Sequence, residues 1–369
     1  MLQSYLISIE TAALVFLIAS LLLLVPICIV HYQRFGYLRP AQAATFYAFL
    51  FYGLCAIFLV TLPLPVITPD FCTVHTLASQ MRVVPFQFVA DIIRVDQISI
   101  RHFNLVSAVE SPVFLQAFFN FLLLMPLGFF LRYYFLASWK VAAAIAFATT
   151  LAFEITQITG IYGLYPCPYR TFDIDDVILN ASGAMVGYAM MPLFAKWLPD
   201  LQQGHPMPQS VSPFRRLVAF LIDWFIANSL ARMLSAVLFA APDSQHPLGL
   251  DVMVYAVWFV GVPLLWRGHT LGKYLVKIRL TCPNGNQVKG SQLCIRYGLL
   301  IALPIITEVG SQALFTQQLE QQGYIGGLSA FVLLSLLALE VCLLAGLVLI
   351  RRDRRGLHEL AANTWQRLA

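Results

Sequence analysis

Between Glu154 and Tyr188 the sequence gathers polar groups that its surroundings lack. The stretch runs E-I-T-Q at Glu154–Gln157, then a loop holding Pro166, Pro168 and Arg170, then D-I-D-D-V-I-L-N-A-S-G-A-M-V-G-Y. Asp173, Asp176 and Asn180 are spaced i, i+3 and i+7, so they share one face where a helix begins. Carboxylates at a helix start are favoured by its dipole, so Asp173 and Asp176 read equally as caps or as ligand-binding groups. Capping does not account for Glu154, which falls in the last turns of the preceding apolar run. A carboxylate at membrane depth is costly and marks a functional site by default. Arg170 is its natural partner across the loop, in a binding site or in a purely structural ion pair. Gln157 and Asn120, the latter just before M-P-L-G at Met125–Gly128, complete the polar set. Gly183-x-x-x-Gly187 is a small-residue face suited to close helix packing.

A second set of charges lies further along. Asp223 sits about two turns inside its apolar run, at about 1.5 Å per residue, and needs a partner. Arg216 is two turns back on the same face and can reach toward it or toward lipid phosphate. Glu308 and Glu340 fall near mid-membrane by residue count, and Arg232 is the other charge inside a span. Asp223, Glu308 and Glu340 are what a proton- or cation-coupled path would need, or else buried groups that stabilise the bundle. Several enzyme classes are excluded. G-H-T-L-G-K-Y lacks the spacing and hydroxyl of a P-loop, and His358-Glu359-Leu-Ala-Ala362 is not H-E-x-x-H. No Cys/His set has zinc spacing, and no G-x-S-x-G elbow occurs. No metal, cofactor or catalytic set is expected. The enzyme reading that survives has Glu154 and Asp176 acting as paired acids on a lipid headgroup.

The elements that must hold these groups follow from composition. The chain is 59% hydrophobic and 11% charged, with mean hydropathy +0.76, against about 25% charged residues in soluble domains. The expected fold is an all-α polytopic membrane protein. Runs near Ile9–Val30, Ala43–Leu62, Val113–Leu131, Val141–Gly160, Asp176–Leu198, Leu217–Ala240, Asp251–Trp266, Arg296–Leu314 and Leu328–Ile350 give about nine spans, at about 20 residues each. The Asp251–Trp266 run is short and contains Pro263. The first run lacks a basic n-region and a small-x-small site, so it is expected to remain as a helix. The spans divide into two bundles, residues 1–198 and 214–369, joined by a Pro- and Gln-rich linker at 199–213.

Basic residues set the expected orientation. With the N-terminus outside, the outside segments keep only Arg82, Arg94, Arg101 and Arg170, and the inside loops hold nearly all the rest. The positive-inside rule therefore points to N-out, C-in in a cell membrane. It also explains the net charge of +5 without nucleic acid. Arg351–Arg355 reads as an orientation anchor or a site for anionic lipid. Arg82–Arg94 has the apolar and charged mixture of an interfacial helix on the outer leaflet, or of a surface helix in a folded ectodomain. Tyr274–Leu280 alternates apolar and basic residues before Asn284-Gly285, which predicts a small cytoplasmic β-hairpin over 274–290. Cys72 and Cys167 are the two cysteines placed outside. In an oxidising exterior they can form a disulfide, or stand as unrelated thiols.

Two resemblances rest on these strings. Pro85-Phe86 after Arg82, Asn120 with M-P-L-G, E-x-x-Q at Glu154–Gln157, Arg170 and D-I-D-D-V-I-L-N-x-x-G-x-x-x-G-Y together resemble the VanZ-like family, over roughly residues 10–198. That resemblance implies a role in low-level resistance to teicoplanin-type glycopeptides. It also implies a site at Asn120, Glu154, Gln157, Arg170, Asp173, Asp176 and Asn180, on the side where a cell-wall precursor or glycopeptide is met in bacteria. Ser212–Asp223, G-H-T-L-G-K at Gly268–Lys273 and R-R-G-L-H-E-L-A-A-N-T at Arg354–Thr364 resemble the RDD family, over about residues 212–366. Its pattern fits Arg216 and Asp223, with Glu359 where the family usually carries Asp. It implies a membrane module for which ion or small-molecule transport has been proposed. Membrane lipids are the remaining expected partners.

Overall fold

The computed structural model describes residues 2–95, 112–202, 210–238, 248–300 and 355–369. The protein is an all-α membrane protein. Six described helices are long and apolar enough to cross a bilayer: Ile7–Phe35, Pro40–Thr61, Pro112–Tyr133, Trp139–Ile158, Ile174–Phe194 and Pro213–Leu238. The expected span Leu328–Ile350, most of Arg296–Leu314, and Glu308 and Glu340 lie outside the described residues. The chain divides into two compact units. One comprises Met1–Leu23 with Arg39–Gly204, the other Leu24–Leu38 with His205–Ala369.

In the first unit the organising helix is Ile174–Phe194. It packs on three neighbours: Pro112–Leu123, Met125–Tyr133 and Trp139–Ile158. The first two form one span broken at Leu124, where Pro126 opens the second segment. Proline suits the first turn of a helix because its missing N–H has no partner there in any case. Contact along Ile174–Phe194 is backbone to backbone. A Cβ on Gly183 would stand 1.7 Å from the Phe121 carbonyl oxygen, and one on Gly187 1.9 Å from that of Met125. Gly128 meets the Ala184 oxygen in the same way, at 1.7 Å. M-P-L-G and G-x-x-x-G are thus two sides of one close crossing. Leu124, Leu127, Leu131, Ala142, Ala146 and Ala184 fill the core beside it. Arg132 fixes one end, donating to the Tyr188 carbonyl at 3.2 Å with its guanidinium 5.0 Å from the Tyr188 ring.

At the other end, a short parallel pair joins Met81–Arg82 to Phe172–Asp173. A disulfide links Cys72 to Cys167 with Cα atoms 5.6 Å apart. Gln87–Val95 is helical, as expected for this segment, and Val83, Val84, Phe86, Val89 and Ile93 on and before it are exposed. The first residues of the expected linker are held in place. Tyr133 donates its hydroxyl to the Pro199 carbonyl at 2.7 Å, and Arg39 and Gln42 donate to that of Leu201. Residues 203–209 lie outside the described residues.

The second unit departs from the sequence reading at its small sheet. Tyr274 and Leu275 belong to a one-turn helix, Leu271–Leu275, capped by the Thr270 side chain. The strand is Ile278–Thr281, and its partner is Trp365–Leu368, antiparallel, rather than residues 287–289. The expected hairpin over 274–290 is therefore not formed. Asn284-Gly285 does make a turn, in which the Gly285 N–H donates to the Cys282 carbonyl and the Cys282 N–H to that of Asn286, each at 2.9 Å. Val288, however, is buried in the core with Leu280 and Leu293, and Gln287 donates to the Leu264 carbonyl at 2.8 Å. A buried apolar side chain on the return segment outweighs ladder pairing there, and the alternating W-Q-R-L segment takes the open strand edge. Gly249–Leu265 is an apolar helix shorter than the six spans. It contains a π-helical segment at Val257–Gly261. Pro263 follows two residues on; it lacks the N–H for the helix ladder and its ring crowds the preceding turn, which the wider π turn accommodates.

The glycine crossing gives a direct test. Gly183→Ala should destabilise the purified protein by about 1–3 kcal/mol, the usual cost of overpacking, read as a fall in unfolding temperature in detergent. Gly53→Ala, where no atom lies within 4 Å of the new Cβ, should leave that temperature nearly unchanged.

Candidate functional site

The polar groups of the first unit collect where Trp139–Ile158 ends and Ile174–Phe194 begins. Glu154 is buried, and its Oε2 accepts the backbone N–H of Asp173 at 3.0 Å. Asp173 caps the next helix, its Oδ1 accepting the Asp175 N–H at 2.9 Å. Asp176 accepts a short hydrogen bond from the Asn120 side-chain amide. Gln157 is buried and donates to the Val60 carbonyl at 3.1 Å. Asn180 is buried one turn beyond Asp176.

Arg170 does not take up the hydrogen-bonded pairing expected with Glu154. Its Nη2 donates to the Leu62 carbonyl at 2.8 Å, leaving the guanidinium only within electrostatic range of the carboxylate. The cation nearest Asp173 is Arg82, 4.0 Å away and closer to Asp91 at 3.3 Å. Burial pushes the Asp173 carboxyl above its usual range, partly countered by the Asp175 N–H it accepts. Asn120, Glu154, Asp173 and Asp176 are thus brought together. Gln157 and Arg170 brace the neighbouring end of Pro40–Thr61 and the residue after it.

Asp175 was passed over by the i, i+3, i+7 face, yet it is buried and accepts the backbone N–H groups of Phe86 and Phe88. It anchors the Pro85–Phe88 segment to the site. The doubled acid in D-I-D-D was the only trace of it: two adjacent carboxylates on a helix must face different neighbours.

In the second unit the charges form two sets. Asp223 is fully buried and receives the Thr270 hydroxyl, the Gly272 N–H at 2.8 Å, the Trp258 indole at 3.3 Å and the Lys273 ammonium at 3.4 Å. A Cβ on Gly272 would stand 2.2 Å from the Ala219 oxygen, so only glycine lets G-H-T-L-G-K wrap this carboxylate. Arg216, expected to reach Asp223, pairs with Glu359 at 2.6 Å instead. Glu359 also receives Arg296 at 3.0 Å, the Gly356 N–H at 3.1 Å and the Gln366 amide at 2.9 Å. The longer side chain of Glu accordingly spans two guanidinium groups. Arg215, adjacent to the motif arginine, is buried. It donates to the carbonyls of Gly36, Val276 and Lys277 and lies over the Tyr32 ring at 4.6 Å. Sequence reasoning missed it because two neighbouring arginines read as one anchor.

Comparison with known families settles the architecture. Residues 49–195 match the VanZ/LLP1 family model, and residues 210–363 match the RDD family model. The chain joins a VanZ-like domain to an RDD domain. No curated protein and no solved structure matches it. The pair of domains indicates a multi-pass membrane protein of the cell envelope. The polar cluster at Glu154 belongs to the VanZ-like domain, and the Asp223 and Glu359 sets belong to the RDD domain.

Chemically the two domains differ. Every carboxylate of the RDD sets has several fixed donors. The VanZ-like cluster is acid-rich: Arg82 reaches Asp173 only at 4.0 Å and lies closer to Asp91, and Arg170 donates to a backbone carbonyl. No group of three or more potential metal ligands occurs among the described residues.

The RDD network predicts a pH response. Burial and then the Arg296 charge hold His358 down to about 3 from its ordinary 6.5. Burial works against ionising Glu359, but Arg296 and Arg216 outweigh it and lower the carboxyl to about 2 from 4.5. Both depressed values favour folding at higher pH, where the unfolded chain releases the same protons without gain. Stability is complete above pH 6.5, falls between 6.5 and about 3 as the unfolded chain protonates its histidine, and falls further between 4.5 and about 2 as the unfolded chain protonates its glutamate while the folded Glu359 stays ionised. Unfolding temperature against pH should therefore show two limbs, and His358→Phe should flatten the upper one.

Proposed function

We propose that the VanZ-like domain binds a lipid-linked cell-wall precursor or a glycopeptide at the face carrying Asn120, Glu154, Asp173 and Asp176. Binding there would confer protection of the teicoplanin type. The protein lies in a bacterial cell membrane with this face and its N-terminus outside and its C-terminus inside. The observation that carries the reading is the Glu154 carboxylate. Among the described residues it is removed from water, held by a single backbone N–H, and left without the close arginine partner that a structural ion pair would have. A group so expensive to bury is retained for work rather than for stability. The Cys72–Cys167 bond beside it supports an oxidising exterior on that side. The exposed apolar residues around Phe86 suit a rim lying in the outer leaflet.

Susceptibility to teicoplanin in a sensitive Gram-positive host tests this. Wild type, Glu154→Gln, Arg170→Ala and Glu340→Gln would be compared at matched membrane abundance. Protection by wild type and by Glu340→Gln, with loss in the first-domain variants, is the expected pattern. Loss only in Glu340→Gln would move the function to transport through the RDD domain.

A further inference from the structure

Among the buried oxygens of the VanZ-like domain that have no hydrogen-bond partner within the described residues are Thr150 Oγ1 and Asn180 Oδ1. Their positions are related. Thr150 is one turn before Glu154 on Trp139–Ile158, and Asn180 one turn after Asp176 on Ile174–Phe194, so each shares a face with its carboxylate. The two helices pack directly on one another. Helical side chains lean toward the helix N-terminus. Glu154 therefore leans toward Thr150, and Asn180 leans toward Asp176. Because the helices run in opposite directions here, Glu154 and Asn180 lean toward one another, and Thr150 lies one turn deeper than Glu154 on the same face. Thr150, Glu154 and Asn180 are each at least nine-tenths buried. Glu154 Oε1 and Asp176 Oδ2 accept no hydrogen bond among the described residues, the other oxygen of each being used by Asp173 and Asn120.

We propose that this seam is a binding site for a primary ammonium group, received by Glu154 and Asp176 and lined on its deep side by Thr150 and Asn180. The inference rests on the proposed function in placing ligand binding at this face, and adds the chemistry of what is bound. An ammonium carries three N–H donors and a positive charge. It matches two open carboxylate oxygens and an open amide oxygen, and it offsets the acid excess that Arg82 and Arg170 leave standing. A phosphate would meet Glu154 and Asp176 as like charges, and a lone hydroxyl would satisfy one acceptor at most. A buried acceptor without a donor is unfavourable in itself, so the donor-rich group gains by filling the site. A trimethylammonium has no N–H and is too wide at its nitrogen to reach both oxygens.

The test uses the full chain in phosphatidylcholine nanodiscs, with a phosphatidylethanolamine probe carrying a fluorophore on one acyl chain. Saturable binding is expected, weakened at least tenfold by Glu154→Gln and clearly by Thr150→Val, which keeps side-chain shape and so tests the seam where Glu154→Gln unfolds the protein. The same probe with a trimethylated headgroup should bind at least tenfold more weakly. Competition by soluble glucosamine would identify a free amine as an acceptable source, and competition by ethanolamine lipid alone would identify a headgroup. Equal binding of the two probes, or unchanged affinity in folded Glu154→Gln and Thr150→Val, overturns the proposal. Glycopeptide protection that depends on Glu154 without any ammonium binding would also overturn it, while leaving the proposed function standing. Ammonium binding without protection would do the reverse.

Discussion

How closely Ile174–Phe194 can approach Pro112–Tyr133 decides the rest of the VanZ-like domain. Lipid supplies little hydrophobic drive between helices, so association depends on packing and on polar contacts made at short range. Three glycines remove the side chains that would hold the backbones apart, and the carbonyls of Phe121, Met125 and Ala184 occupy that space. Only at this spacing can the Asn120 amide reach Asp176 at one end while Arg132 reaches the Tyr188 carbonyl at the other. The acidic face is thus a by-product of backbone contact several turns away. Its carboxylates are positioned by the scaffold rather than by one another.

The RDD domain answers the same problem of buried charge differently. There each carboxylate is enclosed by donors from segments far apart in sequence: Thr270, Gly272 and Lys273 on Asp223, and Arg216, Arg296 and Gln366 on Glu359. Such enclosure ties the loop after Trp266 and the final residues to Pro213–Leu238. Breaking one member would strand a charge, which costs more than the pair contributes. One domain therefore leaves carboxylate oxygens without donors among the described residues, and the other encloses its carboxylates in them.

Much of this was legible in the sequence, and the remainder was hidden for identifiable reasons. Hydrophobic runs and the glycine spacing are local patterns, and they located the spans and the close crossing. The D-I-D-D string located the acidic face because a helix start fixes its own periodicity. Partner choice was not local. Arg216 is two turns from Asp223 but meets Glu359, 143 residues away, because G-H-T-L-G-K already fills the space around Asp223. The hairpin reading failed for a related reason. Alternation identified a strand at Ile278–Thr281, but nothing nearby in sequence shows that Trp365–Leu368 competes for its edge. Asp175 and Arg215 were obscured by like neighbours, since adjacent identical charges on a helix point about 100° apart and meet different partners.

The bond between Cys72 and Cys167 also orders events in time. Its partners are separated by 95 positions, and the spans Pro112–Tyr133 and Trp139–Ile158 lie between them. During synthesis the first cysteine must wait until both intervening helices have left the ribosome and entered the bilayer before its partner arrives on the same side. A chain that inserts either helix the wrong way round delivers the second thiol to the opposite compartment, and the bond cannot close. Oxidation here is consequently a record of correct biogenesis, written once per molecule and readable long after insertion is complete.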